Sequence, residues 1–154
     1  MSFDLRELYQ EMIIDHNRSP RNFYTMVDAT AAANGFNQLC GDKLTVYVKI
    51  DLGIVQEVSF VGSGCAISKA SASLMTEALQ GKTIEEAHNL FKQFHTMLTG
   101  SDEKSDEHET AISLDKLTAL AGVRAYPARV KCATLAWHTF EAALRHDHSP
   151  VSTE

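Results

Sequence analysis

The sequence predicts an α+β fold, in which helices pack on a small three-stranded antiparallel sheet. The segments before Gly64 include short runs rich in β-branched residues, whereas those after it repeat their apolar residues at helical spacing. With 154 residues and 44% hydrophobic content, the chain can bury one core without disulfide bonds. We therefore predict a single domain over residues 1–145 and an unstructured tail over residues 146–154.

The first helix is predicted over residues 4–17, because its apolar side chains recur three and four positions apart. Residues 27–33 give a weak strand signal. Two clear strands follow at residues 44–50 and 54–61, where β-branched residues are frequent. The glycine-containing segment between these two strands predicts a hairpin turn, which makes an antiparallel pair.

Four further helices are predicted after the strands, most of them from an apolar stripe along one face. Thr83 and Glu86 form a capping box that opens the second of them. The acidic stretch at residues 99–112 has few apolar residues and predicts an exposed loop. The predicted helices cover residues 66–80, 83–98, 113–122 and 128–145.

The charge balance of the chain excludes some classes of partner. Its formal net charge is −6, from 20 acidic and 14 basic residues, which disfavours nucleic acid as a partner. No apolar run approaches the roughly 20 residues that a membrane-spanning helix needs. The first six residues also lack the pattern of a secretory signal. We expect a cytoplasmic protein that binds neither nucleic acid nor a membrane.

Three cysteines are the most informative residues of the sequence. An odd number in a reducing compartment does not describe a disulfide framework, so metal or thiol chemistry becomes the leading interpretation. Cys40 is followed by Gly41 and Asp42, and in an extended segment the thiol and the carboxylate point to the same side. Gly41 removes side-chain bulk between them.

The other two cysteines each stand at the predicted start of a helix. The helix dipole and free N–H groups there favour a thiolate at Cys65. Cys132 lies in the first turn of the last helix, where Arg129 and Lys131 add positive charge. Three thiolates with one carboxylate suit zinc, or an iron–sulfur cluster. Spacing alone leaves this open, because no Cys-x-x-Cys pair is present.

Four stretches, in this order along the chain, carry a resemblance to a known family. The chain is similar in them to the U-type iron–sulfur cluster assembly proteins, the family of IscU and the N-terminal part of NifU. It resembles the SufU branch most. The stretches are residues 15–22 (DHNRSPRN), 37–42 (NQLCGD), 62–73 (GSGCAISKASAS) and 129–137 (RVKCATLAW).

The resemblance implies one antiparallel sheet covered by helices. It also implies the metal ligands, which are Cys40, Asp42, Cys65 and Cys132. IscU-type scaffolds usually carry a histidine directly before the last cysteine, where this chain has Lys131. SufU-type proteins also insert a segment before the last helices, which the stretch 99–112 matches. Both features favour a zinc-dependent sulfur acceptor over a cluster scaffold.

The same resemblance implies partners for the chain. A SufS-like cysteine desulfurase, which uses pyridoxal phosphate, makes a persulfide on its own cysteine, and Cys40 matches the thiol that receives the sulfur. Docking is expected to free Cys40 from the metal, where a desulfurase histidine replaces it, and the thiolate then attacks the outer persulfide sulfur. Arg129 is expected to orient or neutralise charge. SufBCD-type assembly machinery is the expected destination of the sulfur.

Other interpretations stay open from the residues alone. The chain can be a scaffold on which an iron–sulfur cluster is assembled and passed to apo-proteins. A zinc ion with four protein ligands can also be purely structural. Asp42 can be a surface turn residue, Arg129 a salt-bridge partner, and any single cysteine an inert core residue. The seven histidines show no metal-ligand spacing.

Overall fold

The computed structural model describes residues 5–99, 115–146 and 151–152. The predicted acidic loop and the predicted start of the following helix lie largely outside these ranges, as does most of the predicted tail. The elements are α1 (Leu5–Arg18), β1 (Ala31–Asn37), β2 (Asp42–Asp51), β3 (Ile54–Ser63), α2 (Ala66–Leu79), α3 (Ile84–Thr99), a 3₁₀ helix (Asp115–Ala125), α4 (Pro127–Leu144) and β4 (Val151–Ser152).

The sheet has four strands in the order β3-β2-β1-β4. The predicted α+β class and the antiparallel pairing of the first three strands are confirmed. The predicted count of three strands in a purely antiparallel sheet was wrong, because β4 pairs in parallel with Gly35 and Phe36 of β1. A two-residue strand carries no alternation of its own, so only the open edge of β1 defines it. The predicted one-domain division stays a prediction.

Strand β1 begins and ends four residues later than the sequence predicts. Its second half contains two asparagines and a glycine, which are disfavoured in strands and obscured the signal. Gly35 is explained by packing, since a Cβ there would lie 2.1 Å from Thr139 Oγ1 and 3.1 Å from Leu135 Cδ1. Helix α4 therefore crosses β1 at a distance that only glycine permits.

The predicted hairpin of β2 and β3 is confirmed. Leu52 and Gly53 form its turn with φ values of 53° and 74°, the left-handed conformation that matches the twist of a hairpin. Alternate residues of β2 face the helices and are buried. The largest fully buried side chains of the core are Trp137, Phe60, Phe94, Phe140, Leu44, Leu74, Met75, Leu79, Leu98, Leu117, Leu120 and Leu135.

The helices agree well with their sequence signals. The capping box is confirmed, with Glu86 N–H bonding to Thr83 Oγ1 at 3.1 Å and Thr83 N–H to Glu86 Oε1 at 3.0 Å. Phe94 of α3 stacks on Trp137 of α4 with ring centroids 4.5 Å apart. In place of the predicted short α-helix, the described residues form the 3₁₀ helix. No helix in the ranges 5–99 and 115–146 is long and apolar enough to span a membrane.

A buried histidine connects α1 to α2. His16 is 3% exposed, and its Nδ1 lies 2.7 Å from Ser73 Oγ. The backbone N–H of Arg21 donates to the same hydroxyl oxygen at 2.8 Å, so the serine proton is available for His16. Burial is the main reason why the pKa of His16 lies below its usual value, and the positive charge of Arg21 adds to it. Folding therefore favours the neutral form of the His16 ring.

Candidate metal centre

The first part of the centre is the turn that joins β1 to β2. Asn37 and Asp42 are the last directly paired residues of these strands, and the turn lies between them. Gly41 has φ 72°, a left-handed conformation, and its N–H donates to Gln38 O at 3.2 Å. The turn thus places the half-buried Cys40 thiol just beyond the end of the strand pair.

The second part is Cys132 in α4. It is fully buried, and its Sγ lies 2.8 Å from Cys40 Sγ. Both thiols are free cysteines. The close crossing of α4 over Gly35 explains how a helix residue reaches the turn, because Cys132 lies on the same side of α4 as Leu135 and Thr139.

The structure brings together three of the four predicted ligands. One donor atom each from Cys40, Asp42 and Cys132 can be chosen so that all lie within 4.8 Å of one another. Among the described residues, no other group of three or more histidine, cysteine or acidic side chains meets this condition. Cys132 lies 92 positions after Cys40 along the chain, so the fold brings it to the other two donors.

Cys65 lies beside this group without joining it. Its backbone N–H donates to Asp42 Oδ1 at 2.9 Å, whereas its Sγ accepts the N–H of Ser68 at 3.5 Å and caps α2. The predicted position at a helix start is therefore observed, with the sulfur turned to the backbone of its own helix. The role of Cys65 as a metal ligand stays a prediction.

The environment of Asp42 fits a cation. Asp42 is only 2% exposed, so its carboxylate is buried. Oδ1 accepts the Cys65 N–H, but Oδ2 has no hydrogen-bond partner in the part of the chain that the structure describes. A buried carboxylate oxygen without a partner is strongly unfavourable, and a metal ion is a ligand that would satisfy it. Two sulfur donors and one carboxylate in a partly buried cluster match the donor types that zinc binds.

The electrostatics of Cys132 differ from the sequence expectation. Burial raises the pKa of its thiol far above the usual range, and the neighbouring Cys40 thiol and Asp42 carboxylate raise it further. The sequence predicts that basic neighbours and the helix start lower the pKa of Cys132. Burial, together with the neighbouring sulfurs and carboxylate, outweighs that effect. A divalent cation bound in the cluster would lower the pKa of Cys132 again, because it would supply positive charge beside the sulfur.

Arg129 is a basic residue that contacts the centre. Its guanidinium is exposed, and Nη1 lies 3.9 Å from Cys40 Sγ. Electrostatic attraction to Cys65, a hydrogen bond with Cys132 and electrostatic attraction to Cys40 raise the pKa of Arg129, so it stays positively charged. A catalytic role for Arg129 remains a prediction, but its position beside Cys40 is as expected.

Two residues that contact the centre were not among the predicted site residues. Asn37 is fully buried, and its Nδ2 lies 3.5 Å from Cys132 Sγ. Gly64 touches the carboxylate, because a Cβ there would lie 2.5 Å from Asp42 Oδ1. The available signal was an amide directly before the Cys40 turn and a second glycine directly before Cys65.

Known proteins resemble this chain over nearly its whole length. The chain is 42% identical over 146 residues to the zinc-dependent sulfurtransferase SufU of Bacillus subtilis. The aligned residues cover 94% of this chain and 95% of the relative. It is 39% identical over 143 residues to the iron–sulfur cluster assembly scaffold protein IscU of Thermotoga maritima, with 93% and 96% covered.

A solved structure and a family model agree with these relatives. The crystal structure of a candidate iron–sulfur cluster assembly scaffold protein for the SUF system from Fervidobacterium islandicum matches with a TM-score of 0.77 and 34% identity, over 92% of this chain and 99% of that one. Residues 8–144 match the family model described as the NifU-like N terminal domain. The chain therefore belongs to the family of NifU-like N-terminal domains.

Proposed function

We propose that the chain is a zinc-dependent sulfurtransferase, which accepts persulfide sulfur from a cysteine desulfurase for iron–sulfur cluster assembly. The observation that carries this proposal is the convergence of donor atoms from Cys40, Asp42 and Cys132 within 4.8 Å of one another. The name of the Bacillus subtilis relative, at 42% identity, supports the same activity.

The residues that would hold zinc are Cys40, Asp42 and Cys132, with Cys65 as the fourth ligand of the proposed set. Cys65 qualifies because its backbone N–H already binds the Asp42 carboxylate. Bound zinc would keep the ligating thiols deprotonated at neutral pH, against the burial that raises the pKa of Cys132. The unpartnered Oδ2 of Asp42 gives the ion its oxygen donor.

Cys40 is the sulfur acceptor in this proposal. It is half-buried on a turn, whereas Cys132 is fully buried in α4, so Cys40 is the thiol that a partner can reach. Its thiolate attacks the outer sulfur of the desulfurase persulfide, and a new S–S bond forms at Cys40. The original S–S bond breaks, and its electron pair leaves with the desulfurase cysteine as a thiolate. Arg129, 3.9 Å from Cys40 Sγ, stabilises the negative charge.

Exposed apolar residues beside the centre suit a protein partner. Leu39 directly precedes Cys40 and is 70% exposed, and Tyr126 precedes α4 and is 64% exposed. Large apolar side chains that remain in water near a reactive thiol are typical of a docking site. We propose that a SufS-like desulfurase docks on this face in the cytoplasm, and that SufBCD-type machinery receives the sulfur afterwards.

A cluster scaffold is the second candidate function. Cysteine thiolates also bind iron–sulfur clusters, and the Thermotoga maritima relative is named as a scaffold. Elemental analysis with an absorption spectrum separates the two functions. A sulfurtransferase purified in air is colourless with about one zinc per chain, whereas a scaffold reconstituted with iron and sulfide holds a stable brown cluster.

The substitution Cys40→Ala tests the proposed function directly. We expect the variant to lose its stimulation of the desulfurase while it keeps part of its zinc, because the acceptor is gone but Asp42 and Cys132 remain. Alanine production by the desulfurase and zinc content measure the two effects. Full stimulation by the Cys40→Ala variant contradicts the proposal.

A further inference from the structure

Asn37 occupies an unusual position at the inner face of β1. The strand alternates, and its other buried residues are Ala33 and Gly35, both small because α4 lies close above them. Asn37 continues this buried row and is 0% exposed. An amide at such a position is unfavourable unless its hydrogen-bonding groups are used.

The amide of Asn37 is directed at the centre. Its Nδ2 lies 3.5 Å from Cys132 Sγ, a hydrogen-bonding distance for sulfur. Asp42 lies directly opposite Asn37 across the strand pair, so the two polar side chains flank the Cys40 turn. Asn37 Oδ1 has no hydrogen-bond partner among the described residues, so the bond from Nδ2 to Cys132 is the one that the structure shows for this buried amide.

The two close thiols of the centre differ in their hydrogen-bond donors. The exposed guanidinium of Arg129 reaches both thiols, since its Nη1 lies 3.9 Å from Cys40 Sγ and it also bonds to Cys132, whereas the neutral, buried amide of Asn37 donates to Cys132. A fixed N–H donor withdraws electron density from a thiolate and holds its orientation. An exposed arginine side chain can follow a sulfur that moves, because its stem is flexible.

We propose that Asn37 is a positioning residue, which holds Cys132 as the permanent metal ligand so that sulfur is accepted at Cys40 alone. The inference rests on the proposed sulfurtransferase function and adds a division of roles between its thiols. The N–H donor stabilises the Cys132 thiolate inside the fold and lowers its reactivity. Among the described residues, Cys40 contacts no buried amide of this kind, and it stays the reactive thiolate.

The test compares substitutions of two asparagines on the same strand. Asn37→Leu removes the donor at nearly constant volume, and Asn37→Ala removes it without adding volume. Asn37→Ser keeps a hydroxyl donor as the rescue. Asn34→Leu is the matched control, because Asn34 is exposed on the opposite face of β1 and bonds to Thr45.

Three measurements read the outcome. In chelator competition, Asn37→Leu and Asn37→Ala should bind zinc about 10–100-fold more weakly than the wild type, as is usual when the partner of a metal ligand is lost. In the cobalt(II)-substituted protein, the sulfur-to-metal charge-transfer band should move to lower energy, and Asn37→Ser should restore part of the shift. Mass spectrometry after reaction with the desulfurase should find persulfide at Cys132 as well as at Cys40.

The results distinguish a failure of the role proposed for Asn37 from a failure of the proposed sulfurtransferase function. If the wild type accepts sulfur at Cys40 while both donor-free variants keep wild-type affinity and an unchanged band, the role of Asn37 is overturned and the proposed function stands. If Asn34→Leu changes the band as much as Asn37→Leu, the effect is not specific and the inference is also overturned. A wild type that binds no zinc overturns both. Circular dichroism shows whether each variant is folded. If Asn37→Leu is unfolded, the results for Asn37→Ala decide the test.

Discussion

The backbone N–H of Cys65 donates a 2.9 Å hydrogen bond to Asp42 Oδ1, which joins the start of α2 to the start of β2 at the candidate metal centre. This bond fixes the carboxylate and leaves its second oxygen without a hydrogen-bond partner in the ranges 5–99, 115–146 and 151–152. Gly64 makes the approach possible, since any side chain there would meet the carboxylate. The orientation of the Asp42 carboxylate therefore depends on the loop that contains Gly64, although Gly64 has no side chain that could bind a metal.

Gly64→Ala should weaken metal binding. The added Cβ would lie 2.5 Å from Asp42 Oδ1 and 3.2 Å from its Cγ, so the carboxylate must turn or the loop must shift. We expect zinc affinity to fall about tenfold or more, the usual effect of disturbing a ligand's orientation. A competition titration with a chromophoric chelator measures the change.

Gly122→Ala is the matched control for that substitution. A Cβ at Gly122 has nothing within 4 Å, and its backbone is not left-handed. Zinc affinity should match the wild type, and the free energy of unfolding should change by no more than about 1 kcal/mol. Equal zinc affinities in the Gly64→Ala and Gly122→Ala variants would show that Gly64 does not control the carboxylate.

Arg129→Ala should slow sulfur transfer without emptying the metal centre. The guanidinium lies beside Cys40 Sγ and stabilises negative charge there, but it is not a metal donor. We expect the rate of desulfurase stimulation to fall about tenfold, with zinc content unchanged. Arg124→Ala, an exposed arginine in the 3₁₀ helix, should keep the wild-type rate. A loss of zinc from Arg129→Ala would instead assign it a structural role.

Stability should decline as the pH falls below about 6.5, the usual pKa of histidine. The pKa of His16 is lowered in the folded chain, so below that pH the unfolded chain binds more protons than the folded one. The loss begins as the unfolded histidine is protonated and levels off below the folded pKa, with a slope of at most about 1.4 kcal/mol per pH unit for one group.

His16→Asn measures the share of His16 in this pH dependence. Asparagine can still meet Ser73 but does not titrate, so the difference in unfolding free energy between about pH 7.5 and about pH 5.5 should shrink. Urea unfolding at the two pH values gives the difference. The exposed residue His146 provides the control, and His146→Asn should keep the wild-type pH dependence. A His16→Asn variant with an unchanged slope would contradict this explanation.

The helices and the β2–β3 hairpin were predictable because their signals are local. The capping box at Thr83, the apolar stripes and the turn at Gly53 each act over a few residues. The prediction placed strand β1 too early in the chain. Gly35 is required by the packing of a helix about 100 residues later, and local strand propensity does not reflect such a contact. The same holds for β4, whose two residues become a strand only against an existing edge.

The centre was predictable in its residue types and less so in its geometry. Short motifs marked the cysteines and Asp42, and the fold brings Cys40 and Cys132 together as expected. The sequence could not show that Cys65 turns its sulfur to the Ser68 N–H. It also misjudged the pKa of Cys132, since burial depends on packing from several elements and outweighs the local helix start.

The close crossing of α4 over β1 has a consequence for how the centre first forms. The donors at residues 40 and 42 leave the ribosome well before Cys132, whose helix is the last one described in the chain. A nascent chain thus lacks the complete pocket until α4 has emerged and docked beside Gly35. Ion capture in this pocket would accordingly report finished folding, and each tenfold rise in free ion above Kd would add about 1.4 kcal/mol to the free energy of unfolding.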